Sequence, residues 1–533
     1  MKSVQTDMRL LLPEHQNYVK NYLERSRFLM TRKKAIIRNL RPLEILSEEQ
    51  LELIHKSTLE VLENTGIRYE SDRALKLFKE NDCNVDMDKK IVKFPPWLVE
   101  ECLRKCPSSF IVKGRGTNSD VRFGGNTSNF LPFPGKDTVD LNTWEPRTPT
   151  RKEFYDTVKI MDALDTVHYT GSYVPWFGFK NTPAVMQMLE GDAANFRNST
   201  MPLHCNYGND CEVFAIRMAK ALGAVNLGVV AISPPLTYQD DACTSAFRNI
   251  EAGFPLYIQS GPTYGATSPV TTAGATVTNN AELMGGVVLA QLIKPGTGVL
   301  VSDFGFTQNM RSGYPVFGRI ESSMHQVVFN QIWRRYKIPI GNHSTGVSNS
   351  KRIDYQCGYE KTISLMLSLL SGANEIGYHG CIYGELSFHP IQLILDDDVA
   401  ATIGRFLQGV EVNEETLAVD VINQVGPIPG TYLTEEHTRK WWKNEQFIPK
   451  SSDSLTYLEW METNKKDCIE YGKDRMEEIL ETHKPEALSD SEEKAIEDIL
   501  GEAREFYRKS GKISDKEWEA CKEDLNSPGY PYF

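Results

Sequence analysis

The sequence has 533 residues, of which 40% are apolar and 24% are charged, and its formal net charge is -12. This composition is typical of a globular protein with one barrel-sized domain and helical additions, or with two domains. The negative charge argues against nucleic acid as the main partner, since a protein that binds a polyanion needs a positive face. No stretch reaches membrane-spanning length without charged residues, so we expect no membrane contact. The ten cysteines are scattered, which favours a reduced, cytoplasmic setting over a disulfide framework.

Residues 1–110 are predicted to form an N-terminal helical region. Ser47 and Gln50 have the spacing of a capping box in front of an apolar, helix-periodic run that ends near Gly66. Cys102 and Cys106 are four residues apart in one predicted helix, with no His or second Cys pair nearby. We interpret them as buried thiols rather than metal ligands. The first forty residues are also basic, either as an arm that docks on an acidic partner or sister subunit, or as a solvated terminus.

Between residues 111 and 430, strand-like and helix-like stretches alternate. Seven short apolar runs occur near residues 167, 201, 229, 256, 298, 339 and 373, and most of them end in Gly, Pro, Ser or His. Their number and helix-length spacing predict an α/β protein with a TIM (β/α)₈ barrel rather than an open doubly wound sheet. No Gly-rich nucleotide loop is present. Residues 431–533 are charged and helical in pattern, which predicts a C-terminal helical extension and favours a homo-oligomer.

The stretch from residue 256 to 306 contains one complete βα unit and the start of the next. An apolar run is followed by a loop rich in Gly, Pro and Thr, then by a helix that ends at Pro295 and Gly296, and by a second apolar run. The loop follows the carboxyl end of its strand, where parallel α/β enzymes carry their chemistry.

Aromatic residues are frequent just after the predicted strands, and six of them are candidate substrate-binding residues: Tyr173, Trp176, Phe177, Tyr264, Phe304 and Phe306. Ring faces of this kind can enclose a quaternary ammonium group, which offers no hydrogen-bond donor. The alternative is that they fill the barrel mouth as large apolar groups.

Polar candidates follow the same strands. His343 and Glu385 are candidate catalytic residues, while Arg311 and His389 are candidates to bind a substrate carboxylate. For any one of them, structural hydrogen bonding is the default interpretation. No Ser-His-Asp, HExxH or paired CxxC pattern is present, so we expect no metal site.

Two spaced motifs resemble the trimethylamine–corrinoid methyltransferase family. The first begins at Gly261 (GPTYGATSPVTTAG) and continues into Gln291-Leu292-Ile293 and Pro295-Gly296; the second begins at Ser350 (SKRIDYQCGYEK). Asp396 to Asp398 and His437 are similar to further family features, and the likeness spans roughly residues 40 to 460. The resemblance implies a TIM barrel that demethylates a methylamine and passes the methyl group to the Co(I) of a separate corrinoid protein. It implies no cofactor bound to this chain itself.

The trimethylamine enzymes of that family carry pyrrolysine shortly before the second motif, whereas residues 341–350 here are ordinary amino acids (GNHSTGVSNS). The resemblance therefore points to the non-pyrrolysine branch, whose substrates are quaternary amines: glycine betaine, which we favour as the smallest, or proline betaine, carnitine or γ-butyrobetaine. A quaternary nitrogen is already charged, so its methyl group can leave without a general acid, and catalysis requires orientation. We expect rings nearest the nitrogen and His343, His389 or Arg311 at the carboxylate. The alternatives are a different methyl donor and a non-catalytic barrel that only binds.

Overall fold

Eight parallel strands alternate with eight helices in the central part of the chain. The computed structural model describes residues 35–116 and 119–532; most of the basic N-terminal segment lies outside them. The strands are β1 (Thr127–Pro132), β2 (Thr170–Gly171), β3 (Leu203–Cys205), β4 (Leu227–Ala231), β5 (Leu256–Ser260), β6 (Val299–Asp303), β7 (Ile340–Asn342) and β8 (Glu375–His379). Each is followed by a helix: α1 (Arg151–Ala163), α2 (Gln187–Asn198), α3 (Cys211–Ala221), α4 (Asp240–Ala252), α5 (Thr272–Ile293), α6 (Ile320–Tyr336), α7 (Tyr355–Ser371) and α8 (Pro390–Gln408).

The strands close into a barrel. Each strand from β2 to β7 pairs in parallel with the next barrel strand along the chain, and β8 pairs in parallel with β1. Between β1 and β2, the backbone N–H of His168 donates to the carbonyl of Phe130 at 3.0 Å. The predicted TIM (β/α)₈ barrel is thus confirmed, and the βαβ segment from β5 to β6 is one of its repeats.

The first barrel strand has no counterpart among the seven predicted runs. Its sequence, TSNFLP, contains three polar residues and a proline, so it shows neither an apolar run nor a clean alternation. The polar side chains have backbone partners on neighbouring segments, since Ser128 Oγ donates to the carbonyl of Ala373 at 2.6 Å and Asn129 Nδ2 donates to that of Arg122 at 2.8 Å. Tertiary hydrogen bonds therefore replace the apolar signal that sequence analysis needs.

The N-terminal region packs on the outside of α5. Its helices are Glu48–Asn64, Asp72–Glu80 and Pro96–Lys105, and the predicted capping box is present, because Ser47 and Gln50 exchange hydrogen bonds. The region also contains short strands. Strands Ile67–Tyr69, Asn84–Asp86 and Ile91–Lys93 form a small sheet that Thr237–Tyr238 extends.

Further short strands lie outside the eight strands of the barrel. Ile36–Ile37 pairs antiparallel with β1, and hairpins are formed by Ser109–Val112 with Val121–Gly124, Thr138–Val139 with Pro146–Arg147, Thr307–Gln308 with Pro315–Val316, and Cys381–Tyr383 with Ser387–Phe388. Two 3₁₀ turns lie at Ala184–Met186 and His343–Gly346. The last three hairpins follow β1, β6 and β8, and so surround the carboxyl ends of the strands.

The chain after α8 is helical, as predicted. Its helices are Glu414–Leu417, Val419–Val425, Glu436–Glu445, Tyr457–Glu462, Cys468–Thr482, Asp490–Lys509 and Asp515–Leu525. Cys468–Thr482 packs on α8 and α1, and Asp490–Lys509 packs on α2 and α3. The domain boundaries at residues 110 and 430 stay predictions. None of the helices in the described ranges is long and apolar enough to cross a membrane.

Candidate active site

His343 lies at the carboxyl end of β7, at the start of the 3₁₀ turn His343–Gly346. Its side chain is 6% exposed and its ring packs between two phenylalanines, with centroid distances of 4.8 Å to Phe133 and 5.4 Å to Phe304. The carboxyl ends of barrel strands are where TIM-barrel enzymes place their chemistry. His343 is therefore positioned as the sequence predicts for a functional residue.

A buried polar network lies beneath His343. The Tyr257 hydroxyl is 2.7 Å from Ser302 Oγ, 3.1 Å from His343 Nδ1 and 3.3 Å from Glu375 Oε2. Glu375 Oε1 is 3.8 Å from His343 Nδ1, and Glu375 is fully buried. Because the phenol carries one hydrogen, it can donate to only one of its three neighbours. The network fixes the inner edge of the imidazole and leaves Nε2 on the opposite edge.

Two glycines make room for this arrangement. A Cβ on Gly341 would lie 2.3 Å from Glu375 Oε2, and a Cβ on Gly377 would lie 2.8 Å from His343 Nδ1. Any larger residue at either position would displace the carboxylate or the imidazole. The small residues of β7 and β8 thus shape the centre of the barrel around Glu375 and His343.

A second histidine, His204 on β3, faces the same centre. Its ring centroid is 6.4 Å from that of His343 and 5.5 Å from that of Tyr257. Burial, and then the neighbouring His343, lower the pKa of His204 to about 3, so it is uncharged at neutral pH. His204 accordingly adds a polar but neutral wall to the site.

Aromatic rings extend outward from His343 in a continuous row. Phe304 lies 5.5 Å from Phe306, Phe306 lies 5.6 Å from Phe317, and Phe317 lies 6.1 Å from Tyr383, measured between centroids. The four rings are partly exposed, whereas Phe133 behind them is fully buried. The structure therefore brings the predicted residues Phe304 and Phe306 together with His343.

Glu385 is near enough to His343 to interact with it electrostatically, and Tyr173 is near Glu385 in the same way. Burial raises the pKa of Glu385, and His343 is the nearby group that opposes this shift. Burial likewise raises the pKa of Tyr173, with Glu385 among the charges that act on it, and the Tyr173 ring is 5.0 Å from Phe177. The predicted residues Glu385, Tyr173 and Phe177 thus belong to the same mouth.

Trp176 and His389 occupy the barrel wall. Trp176 is fully buried, with ring centroids 5.4 Å from Phe388 and 6.2 Å from Phe154. His389 caps α8, where Nδ1 accepts a hydrogen bond from the backbone N–H of Ile391 at 3.0 Å, and burial lowers its pKa to about 4. Their predicted contacts with substrate stay predictions, and the structure gives each a structural partner instead.

Tyr264 and Arg311 line a separate cavity of about 600 Å³ at the rim, together with Met310, Arg319 and Glu321. Arg311 is exposed at the tip of the hairpin after β6, and Tyr264 packs on His325, 5.5 Å away. These two predicted substrate-binding residues are therefore not in the ring row around His343, and their role stays a prediction.

Two further polar residues at strand ends serve the scaffold. Asp303 accepts a hydrogen bond from Asn279 of α5 at 2.8 Å and lies 3.3 Å from His325 of α6. Asn342 exchanges hydrogen bonds with Asn330 of α6 at 2.8 and 2.9 Å. Both side chains tie a strand to the surrounding helices, which is the structural hydrogen bonding that the sequence analysis took as the default.

Sequence analysis missed Glu375, Tyr257 and Phe133. Glu375 begins a buried strand and is the only charged residue in EIGYH, which was a usable signal, since a charge inside a buried strand requires a partner. Tyr257 and Phe133 carried no such signal, because aromatic residues are ordinary in buried strands and strand ends. Among the described residues, no group of His, Cys, Asp and Glu is arranged to hold a metal ion.

Comparison with known proteins identifies the family. The family model described as trimethylamine methyltransferase (MTTB) matches residues 20–505. This chain belongs to the trimethylamine methyltransferase family. A protein named trimethylamine methyltransferase MttB from Desulfitobacterium hafniense (strain DSM 10664 / DCB-2) is 30% identical over 472 residues, which cover 86% of this chain and 94% of that protein.

Other methyltransferases are similar over comparable lengths. A glycine betaine methyltransferase from Desulfitobacterium hafniense (strain Y51) is 28% identical over 455 residues, covering 83% of this chain and 94% of that protein. The crystal structure of the Methanosarcina barkeri monomethylamine methyltransferase (MtmB) matches with a TM-score of 0.45 at 13% identity, covering 81% of this chain and 92% of that one. The family resemblance drawn from the two motifs is therefore confirmed, and the protein is a methyltransferase of this family.

Proposed function

We propose that the protein transfers a methyl group from a quaternary amine, with glycine betaine favoured, to the Co(I) of a corrinoid protein. The observation that carries the proposal is the environment of His343. An ordinary histidine begins the segment 343–350 between β7 and α7, and aromatic rings surround it. A glycine betaine methyltransferase at 28% identity supports the same substrate class.

The aromatic rings suit a permanent cation. Phe304 and Phe306 lie beside His343 and face the mouth with part of their surface exposed. Ring faces attract a quaternary ammonium group within about 6 Å, and each such contact contributes on the order of 1–2 kcal/mol when it is shielded from water. They hold the trimethylammonium group without a hydrogen bond, which that group cannot make.

In this proposal His343 binds the substrate carboxylate. Glu375 and Tyr257 hold its Nδ1 edge, so Nε2 remains to donate to a ligand. His389 and Arg311 are less suited, because the first is engaged as a helix cap and the second is at an exposed hairpin tip. With the carboxylate on His343 and the cation among the rings, one N–CH₃ bond is held in a fixed direction.

Glu385 adds a weak counter-charge at the mouth. Burial raises its pKa, so a smaller fraction of the carboxyl is ionised at mildly acidic pH than in solution. A full negative charge beside the nitrogen would stabilise the substrate more than the transition state, in which the nitrogen loses its positive charge. Rings near the nitrogen, with a partly buried carboxyl nearby, limit that stabilisation. The Co(I) corrinoid supplies the nucleophile, and this chain contributes orientation and exclusion of water.

The test is a methyl-transfer assay with a purified Co(I) corrinoid and a panel of glycine betaine, proline betaine, carnitine, γ-butyrobetaine and trimethylamine. We expect loss of the Co(I) absorption with one quaternary amine and none with trimethylamine. His343→Ala should abolish the reaction, while Leu53→Ala, an exposed position on the N-terminal helix Glu48–Asn64, serves as the matched control. Activity with trimethylamine alone would overturn the proposal, as would silence with all the quaternary amines. A methoxy or secondary-amine donor is the alternative within enzymes, and it predicts activity only outside this panel.

A further inference from the structure

The chain from residue 410 to 449 leaves the barrel and buries none of its residues. It contains the helices Glu414–Leu417, Val419–Val425 and Glu436–Glu445, none of which has a buried residue. Ile428, Leu433 and Val410 are 94%, 84% and 83% exposed. A segment of this length that fully buries no apolar side chain gains little stability for its own helices. We call residues 410–449 the arm. Its ion pair with the barrel is Arg405–Glu445 at 3.0 Å, and its exposed apolar side chains are not covered by the described part of the chain.

The arm starts at the closed end of the barrel, away from His343. Asn39 binds the last turn of α8 through a 2.9 Å bond from its N–H to the carbonyl of Leu407, and the neighbouring Arg38 binds the carbonyl of Asn126, just before β1. The amino end of β1 is opposite to the mouth. The chain returns to α8 where the backbone N–H of Lys450 donates to Asp398 at 2.9 Å. A protein that receives a methyl group must approach the mouth, so it is not the surface the arm needs.

One outward helix face of the barrel is also uncovered. Tyr355, Tyr359, Ile363 and Met366 follow one another at helical spacing on α7, and all are exposed, Tyr355 at 86%. The two charged residues of α7, Glu360 and Lys361, are both buried. The exposed face of this helix therefore carries no charge, which is typical of an interaction surface rather than a solvated one. We call it the α7 face.

Charges at the edge of the α7 face complement the arm. The arm contains seven acidic and three basic residues. Lys351, Arg352 and Arg319 lie at the mouth end of α6 and α7. No ion pair with a carboxylate is found for them in the described part of the chain, and Lys351 and Arg352 contact the rings of Tyr383 and Trp144. A chain with a net charge of -12 repels its copies over most of its surface. An acidic apolar arm against a neutral apolar face with a basic edge removes that repulsion.

We propose that the arm packs on the α7 face of a second copy of this chain, and so builds a homo-oligomer. Both surfaces expose apolar side chains that would be buried on contact, and their edges carry opposite charge. This assembly does not depend on the methyl donor.

The first experiment measures the mass of the purified chain by sedimentation equilibrium over a range of concentrations. We expect the full chain to be a multimer, and Leu433→Asp to lower its mass. Leu53→Asp, which changes a 66%-exposed leucine on the N-terminal helix, should leave the mass unchanged. Replacing the arm by about ten Gly and Ser residues, enough to span on the order of 16 Å along α8, should give a monomer with an unchanged circular dichroism spectrum. A monomeric full chain at all concentrations would overturn the proposal.

The second experiment tests where the arm binds. Cys468 is the exposed native thiol among the described cysteines, so Cys468→Ser is the background. Leu433→Cys and Tyr359→Cys are made in separate chains, and the two are mixed and oxidised. A disulfide-linked dimer that contains both variants is the expected product. In the control, Leu53→Cys replaces Tyr359→Cys. If the protein is a multimer but the Tyr359→Cys mixture gives no more disulfide-linked dimer than the control mixture, the assignment of the α7 face is overturned.

Discussion

Glu375 and His343 face each other inside the barrel, with Oε1 of the carboxylate 3.8 Å from Nδ1 of the imidazole. Tyr257 bridges the pair, since its hydroxyl is 3.1 Å from the imidazole and 3.3 Å from the carboxylate. Gly341 and Gly377 leave the space that both side chains occupy. We therefore predict that Glu375 positions His343 and does not itself contact the substrate.

Glu375→Gln should lower kcat/KM by about 10- to 100-fold, because a displacement of a binding group by less than 1 Å can cost up to about 100-fold. The amide keeps the size of the carboxylate but can donate to Nδ1 and so reorient the ring. Steady-state kinetics with glycine betaine, together with the melting temperature, would measure the effect. Glu282→Gln is the matched control, since Glu282 is an equally buried carboxyl on α5 that binds Ser260 and the backbone N–H of Leu236. Equal kcat/KM values for Glu375→Gln and Glu282→Gln would show that Glu375 does not position His343.

Phe304→Leu should weaken the binding of glycine betaine by about 5- to 30-fold, which corresponds to the 1–2 kcal/mol of a shielded cation–ring contact. Leucine keeps most of the apolar volume but has no ring face. The neutral analogue 3,3-dimethylbutyrate has a carbon in place of the charged nitrogen and provides the control. Titration calorimetry should show that the substitution changes the affinity for the analogue by less than about 3-fold. A similar loss for both ligands would mean that Phe304 only fills space.

Much of the barrel could be predicted from the sequence, because seven of its strands are apolar runs that end in small or turn-forming residues. The remaining strand, β1 (TSNFLP), could not be predicted. Its polar residues are bound by groups that are distant in sequence, such as the carbonyl of Ala373. The same limit applies to the site. Residues after a strand could be placed near the mouth, but whether a side chain enters it depends on the path of the loop.

His389 and Arg311 illustrate this limit, as both follow strands of the barrel. His389 faces its own helix and caps it, while Arg311 lies at the tip of a hairpin that leaves the mouth. Conversely, Glu375 lies at the start of its strand, below the level where chemistry is expected, and reaches His343 only because β7 and β8 are adjacent. Neighbours across strands are a tertiary property that no single stretch of sequence contains.

Glu385 should make substrate binding depend on pH. Burial raises its pKa, so as pH falls the carboxyl is protonated earlier than an ordinary glutamate, and its attraction for the substrate cation is lost. The KM for glycine betaine should therefore rise as pH falls from 8 to 5.5. Glu385→Gln should show a higher KM at pH 8 and a flatter profile. If Glu385→Gln shows the same dependence of KM on pH as the wild type, the pH dependence belongs to another group.

Asp192 should make the stability of the barrel fall with rising pH. It is fully buried on α2, and burial raises its pKa to about 8, with a hydrogen bond to Ser172 acting in the opposite direction. Between about pH 4 and pH 8 the folded chain keeps a proton that the unfolded chain has lost. The free energy of unfolding therefore decreases as pH rises through this window, by up to about 1.4 kcal/mol per pH unit.

Asp192→Asn removes that titration while keeping the shape of the side chain. The melting temperature should fall less between pH 6 and pH 8 in Asp192→Asn than in the wild type. The melting temperature of the variant minus that of the wild type should therefore be larger at pH 8 than at pH 6. Differential scanning calorimetry at both pH values measures this, with the exposed Asp420 changed to Asn as the control. An identical pH dependence in Asp192→Asn and the wild type would show that Asp192 is ionised in the folded barrel, which would require a cation or a water-filled path at α2.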